Sequence, residues 1–339
     1  MNNHLGSRVS KLPLGKVPLD VLEDILQYQG AESKDLVERP GVGVDFSAVK
    51  IGDGYLIISS DPVTGVIEDI GRYAVNVNAN DVATSGTRPL FLQSILLLPN
   101  GTGKDLLKKI VEQIHGAAQN LGIAITGGHT EIIEGINRPI IMATCMATAK
   151  SFVSSRNARE GDVILMTKTA GIEGTSILSK MFSSRLSELE YGLLDNAKRN
   201  LDLLSVIPEA VTAFDTGLVN AMHDPTEGGL LGGLYEMAAA SGLGFSIQGS
   251  NIPISPETKT VCSTLKVDPL KLISSGVLLI STSSDCKDQL LSAVEKKGTM
   301  ITEIGRFTSD GCKVEFKDKC ISIYTSPPDE LWRMLSIVR

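Results

Sequence analysis

The sequence predicts an α+β fold in two halves, because helical and strand patterns alternate along the whole chain. The second observation is a polar stretch without periodicity at residues 150–160, after which a new strand pattern begins at once. A third is the content of 33 glycines, which indicates many tight turns. We therefore expect two domains, residues 1–150 and 151–339.

The first half is expected to open with two strands and a tight turn. Residues 42–49 and 55–60 are rich in Val and Ile and flank Gly52-Asp53-Gly54, the pattern of a hairpin. A helix over residues 66–84 and a strand over residues 90–98 should follow.

The clearest helix of the chain comes next and ends at Gly122. Its apolar residues recur at spacings of three and four and predict a face packed on the core: Leu107, Ile110, Val111, Ile114, Ala117, Ala118 and Leu121. Strands over residues 123–126 and 139–148 complete the first half.

The second half repeats this mixture of elements. A strand at 162–167 leads through the glycine-rich turn at 170–175 into a helix. Further strands are expected near residues 243–247, 277–281, 300–306 and 313–316.

Composition limits the function classes. Of 339 residues, 42% are hydrophobic and 21% charged, which describes a globular protein with a sizeable core. The net charge of -7 disfavours a nucleic-acid partner, since Lys and Arg form no basic patch. No apolar run resembles a secretory signal or a membrane span, and the five cysteines lack metal-site spacing. We expect a cytoplasmic protein with reduced thiols and no membrane contact.

Three acidic residues are candidate metal ligands. Asp81 stands among small residues where a core helix would carry Leu, and a buried carboxylate needs a cation or a donor. Asp45 lies on the first predicted strand and Asp61 at the end of the second. Each has an ordinary alternative, because Asp81 could cap a helix and Asp61 before Pro62 could start a turn. Together the three acids fit Mg²⁺, which prefers carboxylate oxygens and is coordinated by substrate phosphates as well.

A glycine loop is the fourth candidate. Gly127 and Gly128 follow a short strand, so their backbone can approach a bound group closely, and His129, Thr130 and Glu131 add polar side chains. A tight turn with polar decoration is the alternative. The chain lacks the Gly-x-x-x-x-Gly-Lys loop and the Gly-x-Gly-x-x-Gly loop, which disfavours the common nucleotide-binding folds.

These segments resemble the AIR synthase (PurM-like) superfamily, whose members include AIR synthase, thiamine-monophosphate kinase, selenophosphate synthetase and HypE. The likeness spans nearly the whole chain and is strongest to the HypE-like branch of hydrogenase maturation. It is carried by Gly43-Val44-Asp45, Ser60-Asp61, the segment 80–86 and the segment 127–131.

The second half carries a matching segment, Asp224-Pro225-Thr226-Glu227-Gly228-Gly229, similar to the Asp-Pro-Thr-x-Gly-Gly of HypE-like members. Physically it is a turn that starts a helix and exposes N–H groups to an anion. Thr226, Gly228 and Gly229 are therefore candidate nucleotide ligands and Asp224 a candidate catalytic residue. A plain helix cap, with no ligand, is the alternative.

The resemblance implies an enzyme with ATP and Mg²⁺ that activates an amide, carboxamide or similar oxygen by phosphoryl transfer. Asp45, Asp61 and Asp81 would hold the metal, with Asn80 as an orienting donor. Gly127, Gly128 and Thr130 would face the phosphates, and Lys16 would close over them or remain a solvated lysine. His129 and Glu131 are the acid–base candidates, with simple hydrogen bonding as the alternative for His129.

The resemblance also implies a PurM-like homodimer whose amino-terminal sheets pair, with a C-terminal α/β sandwich-like domain in each chain. Three departures leave the acceptor open, as a small molecule or a protein-borne group. Val44 replaces an acid, Glu227 replaces an Arg, and the last cysteine is Cys320 where HypE carries a carboxy-terminal Cys. A nucleotide-binding regulatory or partner protein without turnover is the alternative function.

Overall fold

The computed structural model describes residues 11–338; the first ten residues and Arg339 lie outside the described part. Two mixed sheets, each with helices against it, confirm the α+β prediction. No helix within residues 11–338 has the length and apolar character needed to cross a membrane.

The first half holds a six-stranded sheet in the order β1-β2-β3-β6-β4-β5. Only β4 and β5 run parallel; the other neighbouring strands are antiparallel. Its elements are α1 (Leu19–Leu26), β1 (Leu36–Glu38), β2 (Ser47–Ile51), β3 (Gly54–Val63), α2 (Ile70–Ala83), β4 (Phe91–Pro99), α3 (Lys104–Leu121), β5 (Ala124–Ile133) and β6 (Ile140–Ala149).

The second half holds a seven-stranded sheet in the order β13-β12-β9-β11-β7-β10-β8. Its elements are β7 (Val163–Thr167), α4 (Ile172–Met181), α5 (Tyr191–Arg199), α6 (Ile207–Asp215), β8 (Ala221–His223), α7 (Gly229–Ser241), β9 (Gly244–Gln248), α8 (Pro256–Leu265), β10 (Leu279–Thr282), α9 (Lys287–Glu295), β11 (Ile301–Thr308), β12 (Cys312–Phe316), β13 (Lys319–Ser322) and α10 (Glu330–Val338).

Helices α2 and α3 cover one face of the first sheet. The apolar spacing of α3 predicts its buried residues correctly at Ile110, Ile114, Ala117 and Ala118. The prediction is wrong for Val111, which is 48% exposed. Helix α2 is buried almost throughout, so its small residues let the sheet and the second half approach from different sides.

The first predicted strand is displaced. Pairing begins only at Ser47, whereas residues 42–46 run against the second half. Gly43 is held at φ +69°, and a Cβ there would stand 2.2 Å from the carbonyl oxygen of Glu236 in α7. Close packing against α7 therefore replaces strand pairing in this segment and brings Asp45 to the boundary between the halves.

Candidate active site

The three predicted metal ligands meet at the boundary between the halves. Asp45 precedes β2, Asp61 lies on β3 and Asp81 lies on α2. Asp224, which directly follows β8 in the second half, joins them. The carboxyl groups are close enough to interact: Asp45 and Asp61 contribute to the raised pKa values of Asp81 and Asp224, and Asp45 contributes to the raised pKa of Asp61.

Asp81 is buried at 5% exposure, and the Ser59 hydroxyl donates a hydrogen bond of 2.7 Å to its Oδ2. Burial, followed by Asp61 and Asp45, raises the pKa of Asp81 well above its ordinary value. Asp61 is exposed to the cleft between the halves, and Asn78 fixes its backbone through bonds to its N–H and its carbonyl. The sheet and α2 thus present both carboxyl groups at one place.

Asp224 is the least satisfied acid of the cluster. It is 1% exposed and lies against the carboxyl group of Asp81, and neither of its oxygens accepts a hydrogen bond from a group outside the acid cluster among residues 11–338. Burial and then the charges of Asp81, Asp45 and Asp61 raise the pKa of Asp224 well above its ordinary value. Buried carboxylates that repel each other are stabilised when a cation replaces the missing water.

The donor set suits Mg²⁺, because every group is a hard oxygen ligand. Within the described part of the chain, no three His, Cys, Asp or Glu side chains form a ready metal centre. That looser arrangement is compatible with Mg²⁺, which keeps several waters and takes further ligands from substrate phosphates. The fit rests on the donor chemistry and on the two orphaned oxygens of Asp224.

A chain of alternating charges lies beside the cluster. His223 Nδ1 is 2.7 Å from Asp45 Oδ1, its Nε2 is 3.4 Å from Glu236 Oε2, and Lys16 Nζ is 2.6 Å from Glu236 Oε1. Burial opposes charge on His223, yet Asp45 and Glu236 raise its pKa to about 10. Burial likewise opposes charge on Glu236, but Lys16 and His223 lower its pKa to about 2. This row of charged side chains, which includes His223 and Glu236 of the second half, holds Asp45 in place.

Sequence reasoning missed Glu236, although a signal was present. Glu236 is a lone carboxylate in the apolar helix α7 and is 1% exposed. Its bond to Lys16 also defines the position of the amino-terminal segment: the lysine is 41% exposed and its ammonium contacts a carboxylate. Closure of Lys16 over phosphate would require that contact to break.

Glu227 has a different use from the Arg that the family pattern places there. Its Oε2 accepts the Lys16 backbone N–H at 2.7 Å and the Trp332 indole N–H at 2.8 Å. The carboxylate therefore joins the segment before α1 to helix α10. Both partners are N–H donors and an Arg side chain has no acceptor atom, so an Arg could not replace Glu227 in this role.

Asn80 lies beside the cluster but its amide is fully engaged elsewhere. Its Nδ2 donates to the Leu204 carbonyl at 2.8 Å, and its Oδ1 accepts the Val206 N–H at 2.9 Å. The side chain is completely buried. In this arrangement Asn80 fastens α2 to the loop before α6, and a ligand would have to compete with two backbone bonds.

The predicted glycine loop is part of a strand, which corrects the sequence interpretation. Residues 127–131 lie within β5 because the parallel pairing with β4 continues to Pro99. Gly128 is held at φ +149°, and a Cβ there would stand 1.8 Å from the Ser94 carbonyl oxygen. Glycine is therefore needed for strand packing at this position.

Strand β5 is an exposed edge, so its candidate residues are not assembled with the acids of the same chain. His129 and Glu131 are 64% and 57% exposed, with Nε2 and Oε2 3.6 Å apart. Asp61, Ala143, Ser94 and Gly128 form one row across four strands. Three strand spacings separate Asp61 from Gly128, about 14 Å. Gly127, Gly128, His129, Thr130 and Glu131 thus face solvent at the sheet's end.

The turn before α7 is already capped from within the chain. The Gly228 N–H donates to Asp329 Oδ2 at 2.7 Å, and burial raises the pKa of Asp329 to about 8. Gly229 donates its N–H to the Thr226 carbonyl. The N–H of Gly228 is thus not available to an anion unless Asp329 moves. Of the candidates in this turn, Gly228 lines a cavity beside α1, whereas Thr226 lines the cavity between the halves.

That cavity, of about 650 Å³, lies between the two halves. Asp61, Val63 and Arg138 line it from the first half, and Glu173 and Thr226 from the second. Burial raises the pKa of Glu173 to about 7, which the neighbouring Ser275 opposes. Sequence analysis treated residues 170–175 only as a glycine turn and missed Glu173.

Comparisons with known proteins agree with this architecture. The sequence pattern described as AIR synthase related protein, N-terminal domain, matches residues 43–149, and that of the C-terminal domain matches residues 159–317. A carbamoyl dehydratase HypE of Cupriavidus necator is 32% identical over 249 residues, covering 72% of this chain and 69% of the relative.

Two solved structures share the fold. A HypE–HypF complex contains a chain that superposes with a TM-score of 0.73 at 22% identity, covering 90% of this chain and 99% of the other. HypE in complex with ATP gives a TM-score of 0.70 at 22% identity, covering 84% and 89%.

Two α+β halves with an acidic cluster at their boundary define the class, and the sequence matches cover most of the chain. The chain belongs to the AIR synthase related protein family. Within this PurM-like superfamily it belongs to the HypE branch, which confirms the resemblance seen in the sequence.

Proposed function

We propose that this protein is an ATP- and Mg²⁺-dependent enzyme that activates the oxygen of an amide or carbamoyl group by phosphoryl transfer. The observation that carries the proposal is the cluster of Asp45, Asp61, Asp81 and Asp224, in which Asp224 has two buried oxygens without donors. Support comes from the relative named carbamoyl dehydratase and from the related HypE structure in complex with ATP.

The reaction balances as a dehydration that uses ATP. The amide oxygen attacks the γ-phosphorus, the bond to the β,γ-bridging oxygen breaks, and ADP leaves. The nitrogen then loses two protons as the carbon–oxygen bond breaks, so a nitrile group and inorganic phosphate form. When bound, Mg²⁺ neutralises the charge that develops on the transferred group.

In this scheme the acid cluster holds the metal and its neighbours fix the cluster. Ser59 orients Asp81, Asn78 fixes the backbone of Asp61, and His223 holds Asp45. Positioning of this kind matters because phosphoryl transfer depends mainly on alignment and on electrostatic stabilisation. Each orienting contact involves a side chain that is itself buried or hydrogen-bonded.

We also propose a homodimer, in which β5 residues of one chain approach the site of the other. The first sheet has an open face where Phe91, Ile95 and Met142 are each about two-fifths exposed. An apolar sheet face and an unpaired edge of this kind are typical of an interface. Gly127, Gly128, His129, Thr130 and Glu131 would then act from the partner's edge. A cytoplasmic location remains a prediction from the sequence.

An ADP-release assay tests the function. Purified protein with Mg²⁺ and ATP is given a carboxamide, an aminoimidazole precursor or thiamine phosphate in separate reactions. We expect ADP release that depends on the carboxamide and on Mg²⁺. Nucleotide binding without acceptor-dependent ADP release in any reaction would instead support the regulatory alternative.

A further inference from the structure

Two adjacent buried side chains, Glu173 and Ser275, line the cavity between the halves and have no hydrogen-bond partner outside the pair among residues 11–338. Glu173 lies in the first turn of α4 and is 5% exposed, and its Oε2 has no hydrogen-bond partner among residues 11–338. The hydroxyl of Ser275 is fully buried; it lies near the Glu173 carboxyl group, whose raised pKa it opposes, and has no other polar partner in the described part of the chain. Both residues line the cavity.

Such groups are costly unless a ligand or water completes them. A buried acceptor or hydroxyl without a partner loses the hydration that it had in the unfolded chain. The first turn of a helix favours a carboxylate, but that preference does not require burial of the group in a cavity. Glu173 offers an acceptor and Ser275 a hydroxyl, which together match a group that carries N–H donors.

The charges of the lining restrict the ligand further. Asp61, Glu173 and Glu227 contribute three acids. The cations of the lining are Arg138 and Lys16, and Lys16 is paired with Glu236. A polyanion such as a triphosphate would be repelled by the uncompensated carboxyl group of Glu173, whereas a neutral amide would not be repelled.

We propose that Glu173 and Ser275 form the acceptor subsite and recognise the N–H group of a primary carbamoyl or carboxamide substrate. The inference deepens the proposed function and rests on it. Glu173 and Asp61 line the same cavity, and the proposed function places the phosphoryl donor at Asp61. Glu173 is also positioned to accept one of the two protons that the nitrogen loses.

A binding experiment tests the subsite without requiring turnover. The probe is N-acetyl-S-carbamoylcysteamine, and its matched control is N,S-diacetylcysteamine, in which a methyl group replaces the amide nitrogen. Binding is measured by ligand-observed NMR with Mg²⁺ and a non-hydrolysable ATP analogue present. We expect wild-type protein to bind the carbamoyl probe at least tenfold more tightly than the acetyl control, because only the carbamoyl probe has a terminal NH₂ that can donate to Glu173.

Variants assign the preference to residues. Glu173→Leu should abolish the tenfold preference while leaving the thermal shift with Mg²⁺ and the analogue intact. Glu173→Gln keeps an acceptor oxygen and should retain most of the preference, and Ser275→Ala should reduce it. Ser179→Ala changes a different buried serine, which lies on α4, and is the matched control; it should leave the preference for the carbamoyl probe unchanged.

Equal binding of the two probes to wild type, or an unchanged preference in Glu173→Leu, overturns the subsite. If Glu173→Leu is unfolded, Ser275→Ala decides the same question. The ADP-release assay tests the proposed function separately. If the protein discriminates between the probes but releases no ADP, the subsite is supported and catalysis is rejected. If Glu173→Leu releases ADP as fast as wild type, catalysis is supported and the subsite is rejected.

Discussion

His223 Nδ1 lies 2.7 Å from Asp45 Oδ1, and this ion pair joins the two halves at the acidic cluster. The imidazole is 3% exposed and also faces Glu236, so a single cation serves two buried carboxylates. Asp45 thereby keeps a defined orientation although residues 42–46 form no strand pairing. The second half positions a metal-ligand candidate that belongs to the first.

Replacing His223 by Asn should destabilise the protein strongly. The variant leaves Asp45 without its cation and weakens the support of Glu236, and breaking a buried pair from one side costs about 3–5 kcal/mol. Urea denaturation of the purified variant measures this loss. His115→Asn on the exposed face of α3 is the control and should stay within about 0.5 kcal/mol of wild type. A wild-type midpoint for His223→Asn would show that the pair contributes little.

Asn80→Ala tests whether this amide is structural. The substitution removes two buried hydrogen bonds to the backbone of Leu204 and Val206, so we expect a loss of about 2–4 kcal/mol in unfolding free energy. The thermal shift produced by Mg-ATP on the folded protein should remain. Asn76→Ala, one turn earlier on α2, serves as control. Unchanged stability together with a lost nucleotide shift would restore Asn80 as a ligand.

The acidic part of the candidate site could be predicted from the sequence, because a carboxylate among small or apolar residues needs a partner. That argument found Asp81, and it applies equally to Glu236 in the apolar helix α7. It could not find the pairing of Glu236 with His223 and Lys16, since these residues are far apart in the chain. Tertiary packing alone brings them together.

The glycine segment shows a different limit. Polar residues after two glycines indicate a loop when read locally, but an exposed edge strand tolerates the same residues because one side of it faces water. Pairing with β4 decides between these possibilities, and pairing is not encoded in the segment itself. Most helices and strands that the sequence predicted are present, since their apolar periodicity is local, but α1, β1 and α10 were not predicted.

Glu173 gives the unfolding free energy a distinctive pH dependence. Burial raises its folded-state pKa to about 7 from an ordinary 4.5, with Glu227 adding to the rise, so the native state binds this proton more tightly. The stabilisation from that proton is complete below about pH 4.5 and is lost as pH rises through 7. The total amounts to about 3 kcal/mol.

Glu173→Gln imitates the protonated form and should remove this dependence. We expect near wild-type stability at pH 5 and greater stability than wild type at pH 8, measured by urea denaturation at both values. Glu112→Gln, at an exposed position of α3, should follow the wild-type profile. If the unfolding free energy of Glu173→Gln changed with pH in the same way as that of wild type, the carboxyl group of Glu173 would not be desolvated.

Ile95→Glu tests the proposed dimer. Ile95 is 39% exposed on the open face of the first sheet, next to Met142 and His129 across the neighbouring strands. A carboxylate there should weaken an apolar interface, so sedimentation should change from dimer to monomer at micromolar concentration. Ile51→Glu, an exposed position on β2, is the matched control and should leave the mass unchanged. A monomeric wild type would reject the dimer.

Asp81→Asn tests the metal assignment on which the site depends. The amide keeps the shape of the carboxylate and removes one of four mutually repelling acids, so the protein without ligand should stay folded or become more stable. A cation would lose a ligand, and the rise in melting temperature with Mg-ATP should fall strongly because that rise reports binding to the native state. Asp53→Asn, an exposed control, should keep the full shift. If Asp81 served only as the acceptor for Ser59, the variant would lose stability without ligand and keep the wild-type shift with Mg-ATP.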